Sequence, residues 1–216
     1  MSHATALPVL DASAHGHPHE AAPHAHAIYD YDSGPPVDRA KFAVWLFLAT
    51  EVMFFTGLIG TYLVLRIGSL TWPNPETRLA VGVTAANTFL LITSSWTMVR
   101  ALHAIQRGDA RGLVRWLTCT ILGGATFVSV QVYEYLELIH HGSLPNVDIF
   151  WSTFYTMTGF HGLHVIVGVV WLIAVWIYAV RGKFTAQNYL RVELAGLYWH
   201  FVDLVWVLLF TIVYLM

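Results

Sequence analysis

Five apolar runs, at 42–65, 79–102, 113–139, 149–180 and 192–216, fill most of the chain. A helix crosses the hydrocarbon core of a bilayer with about 20 apolar residues, so each run is long enough to span. Backbone amides have no water to bond in hydrocarbon, and only helices or a closed barrel satisfy them there. Runs of this length are helical. Composition removes the soluble alternative: 56% of residues are hydrophobic and 11% charged, against about 25% charged in a soluble domain. Turn-forming residues separate the runs: Gly68, Pro73 and Pro75; Arg107, Gly108 and Asp109; Gly142 and Pro145; Arg181, Gly182 and Lys183. The third and fourth runs exceed the minimum and predict tilt or ends that project into water. The expected fold is an all-α membrane bundle of five transmembrane helices over residues 41–216.

Orientation follows from the basic residues, which accumulate on the cytoplasmic side. With the N-terminus inside, that side holds Arg39, Lys41, Arg100, Arg107, Arg111, Arg115, Arg181, Lys183 and Arg191, and the outside holds only Arg66 and Arg78. The bias predicts a cytoplasmic N-terminus and a C-terminus outside. Residues 1–40 lack the basic start and apolar core of a signal peptide. Their Ala, His, Pro and Asp offer too little apolar surface to offset ordering, which predicts a flexible tail. Six histidines, His3, His15, His17, His19, His24 and His26, crowd that tail. Such a cluster can chelate a metal weakly, buffer protons or simply be solvated. A net charge of -2 argues against a nucleic-acid partner, and the single Cys119 permits neither an internal disulfide nor a thiolate metal cluster from this chain alone.

Polar groups inside the runs carry whatever chemistry the chain has. Glu51 stands alone near the middle of the first run, where a charged carboxylate costs about 2.5–3.5 kcal/mol. It must be protonated, paired or hydrated, which makes it a candidate proton-exchanging or carbodiimide-reactive group. A neutral glutamate hydrogen-bonded between helices is the structural alternative. Gln131, Glu134 and Glu137 recur every three residues at the end of the third run, on one helical face. They read as a polar interhelical cluster or a proton entry route. Gly57 with Gly60, and Gly123 with Gly124, have the small-residue spacing that lets helices approach closely in lipid.

His161 and His164 in the fourth run and His200 in the fifth invite a haem. Two bis-histidine haems would need four such histidines, and only these three qualify; His161 and His164 share a helix face and cannot bracket one iron, so only a single haem between His164 and His200 stays geometrically open. The competing reading has neutral imidazoles hydrogen-bonding across helices, with His200 and Asp203 forming a local i, i+3 pair.

These stretches are also where a family resemblance appears. Gly159-Phe160-His161-Gly162-Leu163-His164-Val165-Ile166 and Tyr198-Trp199-His200-Phe201-Val202-Asp203-Leu204-Val205-Trp206 resemble the two most distinctive stretches of cytochrome c oxidase subunit III. Thr50-Glu51-Val52-Met53-Phe54-Phe55-Thr56-Gly57 is similar to that family's membrane-embedded glutamate segment. Asn87-Thr88, Gly108-Asp109, and Glu134-Tyr135 with Glu137 follow in family order.

The resemblance implies a cofactor-free subunit of a proton-pumping haem-copper oxidase in a bacterial inner membrane. Such a subunit docks on subunit I, which holds the haems and a copper, on the side away from subunit II with its own copper centre. It implies structural phospholipids, support of proton uptake through subunit I, and cytochrome c as electron donor to the complex. By position Glu51 is similar to the family's carbodiimide-reactive glutamate, and Arg181 and Lys183 correspond loosely to basic residues that contact lipid headgroups. Longer members have seven helices, and this chain lacks the first two, as many bacterial members do. Similar five-helix subunits serve quinol oxidases and some nitric oxide reductase systems, although Tyr198-Trp199-His200 leans towards cytochrome c oxidase. From other classes, a membrane b-type cytochrome on His164 and His200, or a proton or solute transporter around Glu51 and Glu134, competes.

Overall fold

A computed structural model of the chain describes residues 39–70, 72–73 and 79–216. The predicted flexible tail with its six histidines lies outside the described residues, apart from its last two positions, where helix has already begun. Pro75 and Arg78 also lie outside them. Among the described residues the fold is all-helical: α1 (Arg39–Gly68), α2 (Val81–Gln106), α3 (Ala110–His140), α4 (Ile149–Val180) and α5 (Leu190–Phe210). The last helix continues as a π-helical turn, Thr211–Leu215.

Four of these, α1, α3, α4 and α5 with its π turn, are long and apolar enough to cross a membrane. The 26 residues of α2 reach about 39 Å at 1.5 Å per residue, long enough as well. Hydropathy is what α2 lacks, because Thr84, Asn87, Thr88, Ser94, Ser95 and Thr97 dilute its apolar content. All six are buried within the bundle, while Val83, Phe89, Ile92, Trp96 and Val99 face out. This inverts the soluble pattern, as expected where the solvent is hydrocarbon and polar side chains find partners only inside.

Three of the predicted breaks share one mechanism. Gly108, Gly142 and Gly182 adopt φ of 78°, 76° and 66°, in the left-handed region that glycine enters without steric cost. In each, the following amide reaches back five residues: Asp109 N to Ala104 O at 2.9 Å, Ser143 N to Leu138 O at 3.0 Å and Lys183 N to Tyr178 O at 3.2 Å. These are Schellman caps, which satisfy otherwise orphaned carbonyls and let the next helix turn back. At the α2–α3 turn Asp109 also caps α3, its Oδ1 accepting from Gly112 N at 2.8 Å.

α2 packs most extensively on α3, and α4 and α5 complete the core. Its largest fully buried side chains include Trp151, Trp199, Trp206, Phe127 and Phe154. Each indole that donates across the core finds a hydroxyl: Trp199 Nε1 bonds Ser94 Oγ at 3.1 Å, and Trp206 Nε1 bonds Thr88 Oγ1 at 2.9 Å. Gly124 makes room for the first of these, since a Cβ there would lie 2.4 Å from Trp199 Cη2. Gly123 likewise abuts Ser94. The expectation for the other small-residue pair fails: a Cβ on Gly57 or Gly60 would meet nothing within 4 Å. Both sit on the side of α1 that this chain leaves uncovered.

Candidate functional site

α1 lies against α4 and α5 and is fixed by polar contacts at three levels. Lys41 pairs with Glu193 at one end, and Arg66 donates to the Met216 carbonyl at the other. Between them, Glu51 Oε2 lies 3.0 Å from His164 Nε2. Glu51 is therefore not the isolated carboxyl that the sequence suggested. Both side chains are 17% exposed, so the pair is largely withdrawn from the surroundings.

Its protonation pattern follows from the other ring nitrogen. His164 Nδ1 lies 2.7 Å from the Phe160 carbonyl, which can only accept, so Nδ1 carries a hydrogen. A hydrogen bond across the gap between Nε2 and Oε2 then needs one further proton. On the carboxyl it gives a neutral acid donating to a neutral imidazole; on the ring it gives a carboxylate and an imidazolium. The pair has no net charge in either arrangement, which removes the cost of an isolated charge in hydrocarbon.

Aromatic rings and α5 surround the pair. Phe55 meets the His164 ring edge-on at 5.1 Å, and Phe54 packs edge-on against Phe160 at 5.2 Å. From α5, Tyr198 OH donates to the His164 carbonyl at 3.0 Å. Three stretches far apart in sequence, around Glu51, His164 and Tyr198, thus meet at one place.

The remaining polar residues behave differently from one another. His161 is fully buried, stacked on Trp206 at 4.9 Å with Phe127 edge-on at 6.0 Å. Neither of its ring nitrogens has a hydrogen-bond partner. The interhelical hydrogen bonding expected of both histidines is made by His164 alone, while His161 packs as an aromatic ring. His200 and Asp203 lie near enough to interact electrostatically, without an ion-pair or hydrogen-bond contact, and Asp203 Oδ1 is buried without a partner. With both nitrogens of His164 engaged, the geometry does not favour a haem between His164 and His200. Among the described residues no three His, Cys, Asp or Glu side chains come together.

Glu134 Oε1 accepts from Thr84 Oγ1 and Tyr214 OH, each at 3.2 Å, tying α3 to α2 and to the π turn. Gln131, one turn deeper, donates to the Thr158 carbonyl at 2.9 Å, and Glu137 is exposed. This face runs from buried amide to exposed acid.

Arg181 and Lys183 are exposed at the end of α4. Lys183 lines a cavity of about 340 Å³ with Tyr178, Phe184, Asn188 and Arg191. The Tyr178 ring lies 5.7 Å from Lys183 Nζ and 5.3 Å from Arg191 Cζ. Arg181 does not line this cavity. Arg191 does, and sequence reasoning had used it only as a marker of orientation; its place eight residues beyond Lys183, across a predicted turn, was the available signal.

The family description "Cytochrome c oxidase subunit III" matches residues 33–216, which include the whole of this site. The chain belongs to the cytochrome c oxidase subunit III family. Individual relatives agree. The chain is 38% identical to cytochrome c oxidase subunit 3 of Thermostichus vulcanus over 197 residues, 91% of this chain and 92% of that one. It is 36% identical to quinol oxidase subunit 3 of Bacillus subtilis (strain 168) over 172 residues, 80% and 84% of the two chains. A probable cytochrome c oxidase subunit 3 of Mycobacterium tuberculosis (strain ATCC 25618 / H37Rv) is 41% identical over 172 residues, 79% and 84%. This subunit III chain is therefore a multi-pass membrane component of a terminal oxidase, with relatives named for two different electron donors.

Proposed function

We propose that the chain is the accessory, cofactor-free subunit III of a proton-pumping haem-copper cytochrome c oxidase in a bacterial inner membrane. It docks on subunit I, in a complex that also contains subunit II, and supports proton uptake there during oxygen reduction. All five helices cross the bilayer, α2 included, with the N-terminus cytoplasmic and the C-terminus outside. The observation that carries this reading is the convergence of the three family-like stretches on the Glu51–His164 pair. That pair sets a carboxyl against an imidazole inside a helix bundle with no cluster of metal ligands among its described residues. The face of α1 away from the bundle, with Phe42, Leu46, Met53, Val64 and Ile67 exposed, is available for subunit I or lipid. At the end of α4, the Lys183–Arg191 cavity suits a phospholipid phosphate, with Tyr178 supporting both cations.

A quinol oxidase subunit III is the second reading, favoured by the Bacillus relatives. The two readings share every role assigned to this chain and differ only in the donor to the complex. An accessory role predicts that oxidase purified without this chain begins turnover at a rate within about twofold of the complete complex, then loses activity in far fewer turnovers. Oxygen consumption followed to inactivation checks this. An initial rate near zero in a haem-replete complex lacking only this chain would assign it a direct part in catalysis.

A further inference from the structure

The α2–α3 hairpin has a flank that neither the core nor the Glu51–His164 site uses. Its geometry is fixed by the seam between the two helices, where Thr97 Oγ1 lies 2.8 Å from Thr120 Oγ1 and a Cβ on Gly123 would sit 2.8 Å from Ser94 Cβ. On one side of the seam, Leu91, Met98 and Ile105 of α2 and Leu113 and Leu117 of α3 are buried in the bundle. On the other, α2 presents Trp96, Arg100, His103 and Arg107, at a spacing that keeps them on one helical stripe. α3 adds Arg111 and Arg115, four apart and again on one face. All six are exposed.

The charge on this flank is one-sided. Its four arginines form no ion pair among the described residues. The nearest acid in sequence, Asp109, is engaged in capping α3. Arg100 is also held in place: its Cζ lies 5.2 Å from the Trp116 ring and 5.7 Å from the Trp96 ring, and the two indoles meet edge-on at 5.5 Å. A guanidinium laid across two tryptophans spans the seam, with Trp96 55% exposed beside it. Tryptophan favours the level of the lipid headgroups, and cations there favour anionic lipid.

We propose that this outer seam is a binding site for an anionic phospholipid, distinct from the Lys183–Arg191 cavity. The headgroup phosphate sits on Arg100 and Arg115, and one acyl chain runs along the seam past Cys119. A zwitterionic lipid presents the same phosphate together with a cation, which the arginine cluster repels; that difference is the basis of selection. The proposal does not depend on assembly with an oxidase.

Cys119 makes the test direct, being exposed, the chain's single cysteine and one turn from Trp116. The full chain carries a thiol-reactive fluorophore at Cys119 and is placed in phosphatidylcholine nanodiscs. Phosphatidylglycerol or phosphatidylcholine brominated on the acyl chain is then titrated in as quencher. Half-maximal quenching is expected at a mole fraction about fivefold lower for the glycerol lipid. Arg100→Gln with Arg115→Gln should bring the two lipids together, Arg100→Lys should retain part of the preference, and Lys183→Gln should leave it unchanged. Millimolar inorganic phosphate should not compete, because the acyl chain contributes to binding. Equal quenching by the two lipids in the unaltered chain overturns the proposal, as does a preference that survives loss of both arginines in a chain of unchanged helix content. Abolition of the preference by free phosphate would overturn it in favour of a phosphate site.

Discussion

Glu51→Gln is expected to abolish modification of this chain by a hydrophobic carbodiimide while leaving its assembly intact and oxygen consumption by the complex within about twofold. Carbodiimide attacks a protonated carboxyl, and Glu51 stands 3.0 Å from the His164 imidazole in the proposed membrane-spanning part of α1, 17% exposed and so within reach of a lipid-soluble reagent. Gln keeps the shape and can still donate its amide hydrogen to Nε2 once the shared proton is gone. The contact between α1 and α4 should therefore survive. His164→Phe separates the roles of the two partners. It removes the base beside Glu51 but keeps a ring against Phe55, so labelling should persist at no less than the original rate. Labelling followed by mass spectrometry of the proteolysed chain reads both variants. Modification of Glu51→Gln at another site to the same extent would show that Glu51 is not the reactive carboxyl. Loss of all turnover in a fully assembled Glu51→Gln complex would make the pair obligatory rather than supportive.

Gly124→Ala is expected to have the largest effect on the chain's own stability. Its new Cβ would lie 2.4 Å from Trp199 Cη2 and 2.9 Å from Val169 Cγ2, and Trp199 is 1% exposed and tethered to Ser94. The ring cannot withdraw without breaking that bond or displacing α4. Forcing extra volume into a packed core typically costs about 1–3 kcal/mol, and this contact is closer than real Cβ atoms tolerate. Gly57→Ala and Gly60→Ala meet nothing within 4 Å and should leave the melting of the detergent-solubilised chain unchanged or slightly raised. Thermal unfolding of the three variants side by side checks this. Equal melting of all three would show that the α3–α5 contact is looser than described.

The two glycine pairs also show how far the sequence could be read. Small residues mark where helices can approach, but not which helix arrives. Trp199 reaches Gly124 from 75 residues away, while Gly57 and Gly60 meet no neighbour in this chain. Turn chemistry was far more legible, because Gly108, Gly142 and Gly182 combine a helix end with a backbone conformation that glycine favours. The histidines were legible as a group and not individually. Three residues apart on one helix, His161 and His164 differ because one points at the Trp206 ring in the core and the other at Glu51 on α1. The partner of Glu51 lies 113 residues away, and no local pattern could have revealed it. The weak hydropathy of α2 had its reason in the fold as well, since its hydroxyls and amide are spent on α3 and α5 rather than exposed.

We propose that this chain works as a non-catalytic partner of a haem-copper subunit. Purification of the affinity-tagged full chain from its native membranes in mild detergent tests that claim most directly, with the haem spectrum and subunit composition read on the same fraction. The tagged chain should bring down a subunit carrying haem in a fixed ratio, while the chain alone, stripped of its partners, shows no haem absorption. Recovery of the intact chain without any haem-bearing subunit, or a Soret band that stays with the isolated chain, would contradict it.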